Sequence, residues 1–221
     1  MENFLQSVAS SIVASIIIIF ATSAVSSKAK WLIIGLLSRL TSAGLYYVYR
    51  DKEESKNDLS ADISSSNHLK LLVGRGNELQ RQPFEALFQN RSKRNKKFVK
   101  ILLPSTNNIN GEPDWIAQRE AELAKFDTAY TNVGLLKKQV DGNVSFLQKH
   151  SSTGLVEVGR FNAPNFGRLI ITDKYLYFTP YSHDSHGRES RVYKYKQGSD
   201  IYSNYNRLFD QLWEVRTRYD S

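Results

Sequence analysis

The sequence predicts an α/β domain over residues 68–221, preceded by an all-α membrane hairpin over residues 1–49. Two long apolar stretches open the chain, residues 4–25 and 31–49, separated only by Ser26-Ser27-Lys28-Ala29-Lys30. From His68 onward short apolar strands alternate with amphipathic helices, the pattern of a sheet flanked by helices. The charge is divided in the same way. The first 67 residues balance at six Lys and Arg against six Asp and Glu, so the whole excess of +8 falls on the later domain.

Phe4 to Val25 is 22 residues without a charge, centred on Ile16-Ile17-Ile18-Ile19-Phe20. As a helix rising about 1.5 Å per residue it is long enough for a hydrocarbon core of about 30 Å. A cleaved signal peptide wants basic residues before a shorter core; here only Glu2 precedes it and a second apolar stretch follows. Trp31 to Tyr49 is just long enough to span but carries Arg39 at its centre. A mid-span arginine costs a few kcal/mol and faces a partner helix or water, so Arg39 is the candidate for an oligomer seam or pore. The alternative is an in-plane helix with Arg39 snorkelling. Lys28 and Lys30 in the turn, against Arg50, Lys52 and Lys56 beyond it, give a weak positive-inside bias towards a cytoplasmic domain.

Residues 50–67, rich in Ser, Asn, Asp and Lys, read as a linker. Leu69–Val73 reads as a strand ending in Gly74-Arg75-Gly76, a weak phosphate signal for which a plain tight turn is the favoured reading. Pro83 opens a helix with Phe84, Leu87 and Phe88 on one face. Phe98–Leu103 reads as a buried strand stopped by Pro104. Asp114 to about Gln139 is the longest helical stretch, and Val144–Lys149 a further helix. Leu155–Phe161, Leu169–Ile171 and Tyr175–Thr179 are strands. Tyr205, Leu208, Phe209, Leu212 and Trp213 recur at helical spacing and predict a closing helix packed on the sheet. The absence of cysteine excludes a disulfide framework.

The order from the first strand through FVKILL, the long helix, VEVGRF, FGRLIITDKYLYFTPY and YNRLFDQLWE resembles one half of a phospholipase D-like fold over residues 68–219. Active members carry H-x-K-x-x-x-x-D in each half. In that register Phe166 stands at the nucleophile position, Arg168 at the lysine and Asp173 at the aspartate. A phenyl ring cannot attack phosphorus, so the resemblance implies a fold without phosphodiesterase chemistry and without a cofactor. The halves pair in active relatives, which implies a homo-oligomer.

A binding site is expected where the active site was. Arg168, Asp173, His183, His186, Arg188 and Arg191 gather near it, and guanidinium groups match phosphate geometry. His183, Asp184 and His186 suggest metal only weakly, because no second ligand group accompanies them. Arg91, Lys93, Arg94, Lys96 and Lys97 put five positive charges in seven residues, a candidate nucleic-acid contact or a solvated turn. The layout is similar to two-transmembrane effectors of bacterial antiphage defence, of the retron or cyclic-nucleotide signalling type. That resemblance implies an inner-membrane protein that breaches the membrane when triggered. Its regulator would be a reverse transcriptase–nucleic acid complex or a cyclic nucleotide. A non-enzymatic membrane scaffold is the alternative, and a phosphodiesterase with a non-standard nucleophile such as His183 or His186 the second.

Overall fold

The computed structural model of the 221-residue chain describes residues 10–19, 21, 26–40, 42–84, 87, 98–107, 113–151, 156–164 and 166–218. One eight-stranded mixed sheet organises it. Its strands are β1 (Leu45–Tyr49), β2 (His68–Leu72), β3 (Phe98–Pro104), β4 (Val156–Phe161), β5 (Gly167–Ile171), β6 (Tyr175–Pro180), β7 (Val192–Lys196) and β8 (Thr217–Arg218). They lie in the order β1-β7-β6-β5-β2-β3-β4-β8. β2, β3 and β4 run parallel, and every other pairing is antiparallel.

Side chains alternate across this sheet, as the two-residue period of a strand requires. Leu69, Leu71, Val99, Ile101, Leu103, Ile170 and Tyr177 enter one core, beneath α3 (Lys52–Ser65), α4 (Trp115–Leu123) and α5 (Leu135–Ser151). Leu72, Leu102, Leu169, Ile171 and Leu176 enter the other, closed by Phe209 and Trp213 of α6 (Asp200–Glu214). Ser199 caps α6 by accepting the Tyr202 N–H.

Among the described residues no membrane hairpin is formed. Residues 10–19 are helix α1, and α2 covers Ser27–Leu40. Fourteen residues of helix reach only about 21 Å, short of a hydrocarbon core. No described helix is long and apolar enough to cross a membrane, which overturns the two-span hairpin and the inner-membrane placement resting on it. The second apolar stretch breaks because Ser42 and Gly44 take left-handed backbone, with φ of 57° and 64°, a conformation that ends helices. A Cβ at Gly44 would meet Ser199 Cβ at 2.1 Å, so only glycine fits there. The aromatic run Leu45–Tyr49 then pairs with β7 as an edge strand. Ser38 Oγ on α2 donates to Leu45 O at 2.7 Å, and Trp31 meets Tyr47 with ring centroids 6.0 Å apart, so α2 folds back on β1. Arg39 lies in α2, its side chain outside the described residues.

The phospholipase D-like half is overturned as well. The stretch aligned with the catalytic motif lies along one antiparallel strand, β5, with Arg168 near its start and Asp173 past its end. Five extended residues separate them by about 17 Å, and the two side chains have different partners. The sheet also takes in β1, from ahead of the expected domain boundary.

Two further readings change. Residues 52–65 are α3 rather than linker: Asp51 caps it by accepting the Glu54 N–H at 2.9 Å, and Leu59 and Ile63 bury one face. The long helix after Asp114 stops at Leu123 and helix resumes only at Leu135, after Gly134, whose φ is +89°. There Glu120, buried, accepts the N–H groups of Gly134 at 2.6 Å and Leu136 at 2.7 Å, satisfying the start of α5.

Candidate anion-binding pocket

The β2–β5 register pairs Leu72 with Leu169 and so brings Arg168 beside the residues that follow β2. Those are Val73 and the turn Gly74-Arg75-Gly76. This is the carboxyl end of a parallel strand, where open α/β sheets leave a crevice for ligands. A cavity of about 650 Å³ opens there, within the range of small-molecule sites. Its walls come from the β2 turn, α3, α4, the start of α5, β5 and the loop after β6.

The turn is held from below. Gly76 has φ +84°, and a Cβ there would come within 2.8 Å of Leu103 Cδ2. Asn143, buried on α5, donates its Nδ2 to Arg75 O at 2.8 Å and Asn77 Oδ1 at 2.6 Å, and its Oδ1 accepts from Gln80 Nε2 at 2.7 Å. Above it, the Gly74 N–H donates to the Tyr181 hydroxyl at 3.2 Å. Arg119 fixes the opposite wall, donating to Ser182 O at 2.6 Å and Glu122 at 2.7 Å while its guanidinium lies 5.5 Å from the Tyr181 ring centroid.

Charge in the cavity is strongly biased. Seven Lys and Arg residues line it against three carboxylates. At its base Arg168 is 3% exposed. Its guanidinium meets Glu78 Oε1 at 3.1 Å and donates to Thr179 Oγ1 at 3.2 Å. Its Nε–H is buried and has no hydrogen-bond partner among the described residues. A buried donor left without an acceptor costs free energy, more so on a charged group. Lys52 of α3 reaches the other oxygen of the same carboxylate, Glu78 Oε2, at 2.8 Å. Burial raises the Glu78 pKa, but the charges of Arg168 and Lys52 outweigh it and hold the group at about 2. Burial, with the Glu78 charge adding to it, pushes the Tyr181 hydroxyl up.

The residues singled out in the sequence divide. Arg168, His186 and Arg188 line the cavity. His186 Nε2 lies 3.2 Å from Asp127 Oδ2, and Arg188 offers its carbonyl to the Lys52 N–H at 3.4 Å. Asp173 does not reach the cavity: its carboxylate accepts the N–H groups of Asn67 at 2.7 Å and His68 at 3.2 Å, fastening the start of β2. His183 and Arg191 are exposed and outside the lining. Arg91, Lys93, Arg94, Lys96 and Lys97 lie outside the described residues. No group of three or more His, Asp or Glu that could hold a metal occurs among the described residues.

No known protein family matches the sequence, and no curated protein is detectably related to it. Among solved structures the chain is similar to TrmBL2, described as an archaeal chromatin protein with a novel mode of DNA binding. The identity is 14% and the TM-score 0.48, over 99% of this chain and 69% of that one, a likeness too slight to assign a fold.

Lys52, Arg75, Glu78, Arg81, Arg119 and Tyr181 were not singled out in the sequence as binding residues. One signal pointed to them: glycines flanking Arg75 directly after a buried strand, the pattern that lets backbone approach an anion.

Proposed function

We propose that the chain is a binding module for a phosphate-bearing small molecule of nucleotide size, held in the cavity at the carboxyl end of β2. The observation that carries this reading is Arg168, buried at the cavity base with its Nε–H unpaired. The net positive lining and the glycine-flanked turn support it. An arginine fork suits phosphate oxygens better than a point charge does. The reading is of recognition without turnover.

The membrane hairpin on which the resemblance to antiphage effectors rested is not found among the described residues.

The test is isothermal titration of the full chain with adenosine 5′-monophosphate, beside Arg168→Met and the exposed lining variant Arg81→Gln. Saturable one-to-one binding, weakened about tenfold or more by Arg168→Met and to a lesser extent by Arg81→Gln, is expected. Absence of saturable binding to the wild-type chain overturns the reading. So does equal binding by a folded Arg168→Met chain.

A further inference from the structure

Within that reading, we propose that Glu78 stands where the ligand's phosphate sits, and that the pocket therefore selects a terminal phosphate monoester over a phosphodiester. One carboxylate bridges two cations from different elements, Arg168 of β5 at 3.1 Å and Lys52 of α3 at 2.8 Å. This is how a bound anion would be held: one oxygen on a guanidinium, the other on an ammonium. The Arg168 Nε–H is closed off from solvent as well as unpaired. An incoming anion reaches the guanidinium by taking the place of a group now on it. Thr179 is fixed in β6, whereas Glu78 sits on the short 3-10 turn Asn77–Gln80 beyond the glycine pair.

Displacement sets the selectivity. A diester carries one negative charge, the same as the carboxylate it must displace, so the exchange leaves the charge at Arg168 and Lys52 unchanged. A monoester carries about 1.5 to 2 negative charges near pH 7 and three terminal oxygens. It can hold both cations at once. Displaced Glu78 then moves towards the cavity mouth, where Arg81 follows one residue after the turn. Tyr181 and Arg119 face the same space and are neutral and positive, and of the two other lining carboxylates, Glu53 and Asp127, the latter is paired with His186.

The experiment titrates the full wild-type chain and Glu78→Gln with adenosine 5′-monophosphate and with the methyl ester of its phosphate. The two probes differ by one methyl group and one ionisable oxygen. The wild-type chain is expected to bind the monoester at least tenfold more tightly. In Glu78→Gln the ester gains affinity, and the ratio falls towards unity. A wild-type ratio within twofold, or tighter binding of the ester, overturns the selectivity while leaving the pocket reading standing. A ratio unchanged in folded Glu78→Gln shows that Glu78 is not the displaced group. If neither probe binds either chain, the pocket reading itself falls. Should Glu78→Gln fail to fold, the wild-type ratio alone decides.

Discussion

Lys194 Nζ lies 2.8 Å from Asp62 Oδ2, fastening a buried ammonium on β7 to α3 across one face of the sheet. Asp58, one helical turn earlier, reaches the same nitrogen at 2.9 Å. The Tyr175 ring centroid is 4.0 Å away, within the range of a cation–π contact. Tyr49 and Tyr177 donate to Asp58 and Asp62, and burial pushes both hydroxyls up. The carboxylates depend on the lysine. Lys194→Ala leaves two like charges facing buried tyrosines and should cost about 3 to 5 kcal/mol, read from the urea midpoint. Combining it with Asp58→Asn and Asp62→Asn should recover most of that loss. A loss below about 1 kcal/mol in Lys194→Ala would show that the network contributes little.

Glu78 makes stability depend on pH in one direction. Its folded pKa of about 2 lies below the ordinary 4.5. The folded state therefore binds fewer protons than the unfolded state between those values, and stability rises with pH there. The contribution is complete above about pH 5 and is lost as pH falls towards 2, up to about 3 kcal/mol. Subtracting the stability of Glu78→Gln from that of wild type across pH 2 to 6 isolates it. A difference that stays flat would refute the pairing with Arg168 and Lys52.

Gly76 is required twice over, by its positive φ and by the approach of Leu103. Gly76→Ala should destabilise by about 2 kcal/mol in chemical denaturation. It should also weaken adenosine monophosphate binding, because the turn carrying Glu78 shifts. Wild-type affinity in the folded variant would separate the turn from the site.

Asn143 acts from the opposite side of the same turn. Asn143→Leu removes both donors that hold Arg75 O and Asn77, and leaves a half-buried carbonyl unpaired at a cost of about 1 kcal/mol. Hydrogen exchange should then speed up at Gly76 and Leu79 while β4 stays protected. Uniform loosening of the whole sheet would instead mark Asn143 as a general core residue.

What the sequence disclosed depended on how local the signal was. α6 was legible because Tyr205 to Trp213 repeat at helical spacing, and Phe209 and Trp213 are indeed buried. β3 was legible as an apolar run broken only by Lys100. The second apolar stretch misled because hydropathy sums Trp31 to Tyr49 without regard to backbone geometry. Ser42 and Gly44 turn the chain, and the aromatic alternation after them marks a strand. α3 was hidden by its polar composition, although Asp51-Lys52-Glu53-Glu54 carries the spacing of a capping box. Arg168 was singled out through a motif register that the fold does not support. Its partners Lys52 and Glu78 are distant in sequence, and the β2–β5 register that gathers them is not written in any single segment.

The pairing of β1 with β7 bears on how this chain can be cut. Residues 45–49 seal a sheet margin that would otherwise present open amide and carbonyl groups along β7, beside Tyr193 and Tyr195. A recombinant fragment beginning after Tyr49, chosen to discard the apolar leader, would bare that margin and invite chain-to-chain strand addition. It would emerge as aggregate. The residues that look most dispensable in a hydropathy plot are those that keep the sheet solitary.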